Sequence, residues 1–277
     1  MASEASTHST DRVGFVGLGS QGAPMAMRII DEGFPTTVWA RRSETLAPFL
    51  STNASIAETP AGLGASADVL CVCVVDDAGV DDVLRGPKGA LAAMKPGGVV
   101  VIHSTVHPET CRRLQADFPD VNIIDAPVSG GGDKAAAREL VVMCGGPAAS
   151  IERCRPILDS FANPLIHLGG LGCGQEAKLL NNAVFTAHLA IAADAFAAAA
   201  RRGLDPQALT AVLTGGSGRS FALDVLSPRG GNLAEFGALA GPLLAKDVGI
   251  LADLEPDSII VEVAEYAVRA MNQSNGD

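Results

Sequence analysis

The chain has no CxxC pair, no run of basic residues and no internal repeat. Its first twelve residues, MASEASTHSTDR, contain no apolar stretch. Each absence excludes something. The six cysteines, Cys71, Cys73, Cys111, Cys144, Cys154 and Cys173, mostly sit in apolar surroundings. They read as reduced core residues of a cytoplasmic protein, and no metal site is expected. Lys plus Arg is 20 against 31 for Asp plus Glu, a formal net charge of -11. That balance, without a basic patch, argues against nucleic acid and anionic membranes as partners. Anionic small molecules stay open, because local arginines and helix N-termini can bind them. The opening residues read as a disordered tail over 1–11 and not as a signal peptide. The nearest thing to a membrane span is AVFTAHLAIAADAFAAAA, Ala183 to Ala200. His188 and Asp194 interrupt it and alanine supplies most of its apolarity, so a buried helix of a soluble protein is the better reading.

What is present is a change of pattern near Gly169. Before it, short β-rich runs (RVGFVG, TTVWA, VLCVCVV, GVVVIH, VNIID and ELVVMC) alternate with Ala- and Leu-containing helical stretches. Several runs are continuously apolar, as strands covered on both faces are. After it the β signal almost vanishes. Residues 12–168 are therefore expected to form a Rossmann-type, doubly wound, mostly parallel sheet with helices, an α/β domain. Residues 169–277 are expected to be all-helical. LDPQAL opens one of those helices, with Asp205 as N-cap and Pro206 at the first helical position. A long helix from about Gln175 to Arg202 is apolar nearly all round. Such a helix must be enclosed on every side, between domains or between subunits, so a homodimer or homotetramer is expected.

GLGSQG, namely Gly17, Leu18, Gly19, Ser20, Gln21 and Gly22, follows the strand RVGFVG and opens a helix ending at Gly33. The glycines allow a tight turn, the approach of a pyrophosphate and close helix–strand packing, while the helix N-terminus presents N–H groups to the anion. A plain Gly-rich turn is the alternative. After the second strand stand Arg41 and Arg42, where an NAD site usually has a carboxylate; the nearest acid, Glu44, lies beyond them. Arginine there suits a 2′-phosphate, so NADP(H) is favoured and NAD(H) remains possible.

GGLGCGQEAKLLNN, Gly169 to Asn182, runs three closely spaced glycines into a helix that carries Lys178. A lysine in an apolar segment needs somewhere to put its charge. Asn182 lies four residues on, hence on the same helix face. A desolvated lysine holds its proton less tightly, which would let it exchange protons near neutral pH. The alternative is a stem packed on apolar neighbours with its head in water.

Four ordered blocks, from Val13 to about Leu254, resemble the β-hydroxyacid dehydrogenase family: GFVGLGSQGAPMA, HSTVHP with DAPVSGG, GCGQEAKLLNN, and LLAKDVGILADL. The resemblance implies a small carboxylate-bearing substrate. It makes Lys178 the general acid/base. Ser129, Gly130 and Gly131 become the binders of the substrate carboxylate, and Asn182 a holder of its hydroxyl or carboxylate. Thr105 and Lys246 match positions that contact the nicotinamide half of the cofactor. Val74, Val75 and Asp76 match the segment after the family's fourth strand, beside the nicotinamide ribose, with Val75 replacing the usual proline. The reaction implied interconverts a small β-hydroxy acid and its aldehyde or keto acid.

The chain also departs from the pattern. Lys134 stands at a glycine position, and Arg138-Glu139 replace Gly-Thr; a new lysine there would add an anion contact or narrow the pocket. Gln21 replaces a common methionine, with little effect expected because the loop acts through its backbone. Between the last two helices about a dozen residues found in relatives are missing, against ordinary helix–helix connections. Two alternatives stay open. Imine reductases share the cofactor block but usually carry Asp or Tyr where Lys178 stands. A non-catalytic cofactor-binding scaffold is the other.

Overall fold

A computed structural model describes residues 11–86 and 88–272. Of the tail expected over residues 1–11, residues 1–10 lie outside them. Asp11, assigned to that tail by the sequence, is held by Arg153, whose Nη2 lies 2.9 Å from its Oδ1.

Nine strands form one sheet: β1 Val13–Val16, β2 Thr36–Trp39, β3 Ser55–Ile56, β4 Val69–Val72, β5 Val99–Ile102, β6 Asn122–Asp125, β7 Val128–Ser129, β8 Leu140–Gly145 and β9 Ala162–Gly169. Their order is β3-β2-β1-β4-β5-β6-β8-β7, with β9 also paired to β8. The strands from β3 to β6 pair in parallel. Strand β8 runs antiparallel to β6 and β7 and parallel to β9. The apolar runs of the sequence are explained by alternation across the sheet. Val13, Phe15, Val69, Cys71, Val99, Val101 and Ile124 belong to one core. Val16, Leu70, Val72, Val100, Ile102 and Ile123 belong to the other. Both faces of β1, β4, β5 and β6 are covered, so these strands need no polar side. Each such side chain, taken out of water, stabilises the fold by roughly 1.5–3 kcal/mol.

The helices of this first unit are α1 Gly22–Asp31, α2 Pro60–Ser66, α3 Asp77–Arg85, α4 Pro108–Asp117, α5 Gly131–Ala136 and α6 Ala148–Leu158. Then comes α7, Cys173–Arg201. All six cysteines are free, and Cys71, Cys111, Cys144 and Cys154 are buried. Burial pushes the Cys144 and Cys154 thiols up to about 12, so they carry almost no thiolate at neutral pH.

The chain divides into two compact units inside α7, the first ending at Lys178 and the second beginning at Leu179. Composition places the change at Gly169, ten residues earlier by this numbering, because the glycine-rich approach to α7 carries no strand signal. The second unit holds the rest of α7 with α8 Pro206–Gly215, α9 Phe221–Leu226, α10 Leu233–Leu254 and α11 Ile259–Asn272. Asp205 caps α8 as its sequence indicates, accepting from the Ala208 N–H at 2.7 Å. Helices α10 and α11 cross closely at Gly237, where a Cβ would come within 2.6 Å of Met271 Cβ. Only residues 255–258 connect them. Helix α7 is not enclosed on every side within the single chain. Leu180, Val184 and Ile191 keep 45%, 38% and 60% of their surface.

Candidate active site

In a sheet ordered β3-β2-β1-β4-β5-β6, connections leave in opposite directions from β1 and β4. A crevice is left outside their carboxyl ends, the place where such sheets bind ligands. Here that crevice is a cleft of about 740 Å³ lined by Gly17, Leu18 and Gly19 after β1 and by Val74, Val75 and Asp76 after β4. Trp39, Arg41, Arg42 and Thr45 line its other end.

The three glycines of GLGSQG do three different things. Gly17 has φ +95°, and a Cβ there would lie 2.0 Å from the Cys73 carbonyl oxygen. Gly22 has no room either, since its Cβ would lie 1.9 Å from the Gly17 carbonyl oxygen. A Cβ on Gly19 would meet nothing within 4 Å. Gly17 and Gly22 are thus required by packing, and Gly19 leaves space open on a loop that lines the cleft. The following helix α1 has no side-chain cap and no acid in its first turn. Ala23 N–H is taken by the Gly19 carbonyl oxygen at 2.9 Å and Pro24 carries no N–H, so what the helix start offers an anion is chiefly its positive dipole end. Gln21 turns its side chain back toward Met25, with Nε2 at 3.7 Å from the sulfur, so its part in the loop is played by backbone. This cleft, with the GLGSQG loop at the head of α1 and Arg41, Arg42, Trp39 and Thr45 on its wall, could hold a dinucleotide.

The segment after β4 is fastened from below. Val74 N–H donates to Ser104 Oγ at 2.8 Å, and Asp76 caps α3 by accepting from Gly79 N–H at 2.8 Å. Asp77 Oδ1 accepts from both His107 N–H and the Thr110 hydroxyl, at 3.0 and 2.6 Å. Thr105 lies between Ser104 and Val106, partly buried and outside the residues that line the cleft.

Ser129 ends β7, and Gly130 and Gly131 turn into α5 with φ of +138° and +77°. Only glycine takes both values readily, and the turn exposes successive N–H groups. The next residue, Gly132, packs against the GLGSQG loop so closely that a Cβ would lie 2.5 Å from the Ser20 carbonyl oxygen. The Ser-Gly-Gly turn and GLGSQG are therefore neighbours, although they are more than a hundred residues apart in the chain. Lys134 does not add a free cation here: its ammonium is paired with Glu139 on an exposed surface. Arg138 pairs with Glu32 at the end of α1.

Lys178 sits in the second turn of α7 and is buried, with 9% of its surface exposed. The helix start that carries it is built into the first unit. Asp125, at the end of β6, accepts from Gly172 N–H and Gln175 N–H, each at 2.7 Å. Burial holds the Asp125 carboxyl above its ordinary value, against the lowering by the N–H groups of Gly172, Gln175, Asp125 and Gly174. In the second unit Asn182 donates to Asp247 Oδ2 at 2.6 Å, and Lys246 Nζ lies 2.7 Å from Asp247 Oδ1. Asp247 is buried, and the sequence reading passed it over although it stands beside Lys246 in the same block. Trp39 and Thr45 were also missed; they flank the two arginines. Asp125 and Gln175 carried a signal only as letters inside two named blocks.

The comparisons with known proteins agree over most of the chain. Residues 12–170 match the model of the NAD binding domain of 6-phosphogluconate dehydrogenase, and residues 172–274 match the NAD-binding domain of NADP-dependent 3-hydroxyisobutyrate dehydrogenase. The chain belongs to the β-hydroxyacid dehydrogenase family. It is 37% identical over 227 residues to an uncharacterized oxidoreductase of Mycobacterium tuberculosis, covering 79% of this chain and 77% of that one. With L-threonate dehydrogenase of Cupriavidus necator it shares 32% identity over 246 residues, 87% of this chain and 82% of the other. Among solved structures, 3-hydroxyisobutyrate dehydrogenase of Mycobacterium tuberculosis with L-serine superposes at a TM-score of 0.84 and 27% identity, covering 97% and 94%. A protein solved with NADP+ and 2-OPP gives 0.82 and 28%, covering 95% of each chain. An imine reductase of Myxococcus stipitatus gives 0.65 at 20% identity, over 94% of each, and shares the fold. This β-hydroxyacid dehydrogenase family member is an NAD(P)-dependent oxidoreductase acting on CH–OH groups.

Proposed function

We propose that the chain interconverts a small β-hydroxy acid and its aldehyde or keto acid, with NADP(H) as preferred cofactor and Lys178 as general acid/base. The observation that carries this reading is the meeting of Gly132 with Ser20, which sets the Ser-Gly-Gly turn beside the cofactor loop. A carboxylate held by Ser129 and the Gly130 and Gly131 N–H groups would bring its β-carbon alongside that loop. Positioning of this kind supplies much of the rate. Bound nicotinamide supplies or takes up the hydride. Lys178 gives its proton to the oxygen as negative charge develops there, and in the oxidative direction takes the hydroxyl proton. Asn182, held by Asp247, orients the substrate's hydroxyl or carboxylate. Thr105, Val74, Val75 and Lys246 hold the nicotinamide half. Arg41 and Arg42 take the 2′-phosphate, a reading supported by their place on the cleft wall and by the NADP+-bound relative.

The test is a panel of 3-hydroxyisobutyrate, L-serine, L-threonate and short semialdehydes with both cofactors, followed at the nicotinamide absorbance. Lys178→Ala should lower kcat by about 10²–10⁴-fold while leaving dinucleotide binding intact. Normal turnover in that variant would end the proposal. Replacing Arg41 and Arg42 together by Ala should weaken NADPH at least about tenfold more than NADH, since charge-assisted phosphate contacts are lost. Equal losses would remove the 2′-phosphate assignment. The imine reductase alternative shares only the fold, and turnover of cyclic imines in place of hydroxy acids would favour it. No turnover of any compound, with NADPH still bound, would favour a non-catalytic scaffold. The protein is further proposed to be cytoplasmic and a homodimer or homotetramer, with neither nucleic acid nor membrane as partner.

A further inference from the structure

The first N–H groups of an α-helix have no partner within the helix. Most helices meet this need with a residue next to them in sequence; α7 meets it with a strand end. Asp125 is fully buried, lies 47 and 50 residues before the two N–H groups it accepts from, and receives both at 2.7 Å. A Cβ on Gly145 would come 2.5 Å from Oδ1, and one on Gly174 would come 2.7 Å from Oδ2. These two glycines leave the space that the carboxylate fills.

Gln175 extends the same attachment. Its side chain is fully buried, with Nε2 donating to the Ser104 carbonyl oxygen at 2.8 Å and Oε1 accepting from Val106 N–H at 3.1 Å. The carboxamide thus brackets Thr105 from both sides. Ser104 Oγ in turn receives Val74 N–H, so the chain of bonds runs from the end of β6 through α7 to the loops after β5 and β4. Lys178 follows Gln175 by three residues, one turn along the same helix face.

We infer that Asp125 and Gln175 are positioning residues that fix the height and rotation of the first turns of α7, and so hold the Lys178 ammonium in register with the Thr105 and Val74 segments. The inference rests on the reading of Lys178 as the proton donor. A displacement of about 1 Å at such a group can cost on the order of a hundredfold in rate.

The test uses Gln175→Met, which keeps volume and removes both side-chain hydrogen bonds, and Asp125→Asn, which turns one acceptor into a donor facing an N–H. In the cofactor-free protein, hydrogen–deuterium exchange over residues 172–178 should rise about tenfold or more, because their anchoring bonds are lost. With the panel acid that turns over fastest, kcat should fall about 30-fold while KM stays within about threefold, a loss confined to alignment. In a Lys178→Ala background the same substitutions should cost almost nothing further. Unchanged exchange at 172–178 would overturn the clamp. An equal loss of kcat with and without Lys178 would show that the two residues do not act through it. Should Lys178→Ala itself retain full activity, the proton-donor reading falls, and the exchange measurement still judges the clamp. If Asp125→Asn fails to fold, Gln175→Met carries every arm.

Discussion

Arg138 holds a left-handed backbone, φ 61°, alone among the described non-glycine residues. A side chain in that region costs roughly 1–2 kcal/mol. In the family pattern this position is a glycine, and here the guanidinium gains an ion pair with Glu32 across to the end of α1. The two effects can be separated. Arg138→Ala and Arg138→Gly both lose the ion pair, but only glycine relieves the backbone. Allowing for glycine's extra freedom in the unfolded chain, the Gly variant should be more stable than the Ala variant by about 0.5–1 kcal/mol. Urea unfolding of the two side by side measures it, and an Ala variant as stable as the Gly variant would contradict the strain. The letters revealed that residues 134, 138 and 139 were unusual. They did not reveal that Lys134 and Glu139 would neutralise each other, because the pair spans five residues and closes only through the turn at Arg138.

At the scale of elements, the unit β1–loop–α1 was legible because its chemistry is local. The strand run, the glycine spacing and the helix that follows all lie within 20 residues of chain. Its glycines nevertheless differ in a way no spacing rule states, and this gives a prediction. Gly17→Ala drives a Cβ into the Cys73 carbonyl and should destabilise the ligand-free protein by several kcal/mol or prevent folding. Gly19→Ala meets open space, so its thermal midpoint without ligand should match the parent, while NADPH binding weakens about tenfold or more. Quenching of the single tryptophan, Trp39 on the cleft wall, reads the binding. Equal behaviour of the two variants would refute the division of roles. Strands β3, β7 and β9 were not legible. Two are only two residues long, and β9 is a mostly exposed edge strand, so none offers the apolar run that identified the others.

At the scale of the whole molecule, the stripe Leu180, Val184 and Ile191 on α7 is the feature that the single chain leaves unresolved. Apolar side chains at this spacing on one helix face cost free energy in water at about 25 cal/mol per Å². A second copy that buries them matches the homodimer or homotetramer proposed above. Ile191→Lys should then shift the solution mass measured by light scattering toward the monomer, with the helical signal retained. A parent protein already monomeric at high micromolar concentration would dismiss that assembly.

The sequence by itself determined the class of each half and the place of the glycine-rich loop, and it singled out Lys178 as the candidate lysine, because all of these are written in periodicity, glycine spacing and contiguous blocks. Only the tertiary structure decided which buried groups support them. The carboxylate that starts α7 comes from the end of β6, the carboxamide that brackets Thr105 comes from α7, and the glycine that meets Ser20 comes from α5. Hydrogen bonds between residues 50 and 71 positions apart, and a packing contact between residues 112 apart, depend on the closure of the sheet, and no local pattern in the chain encodes that closure.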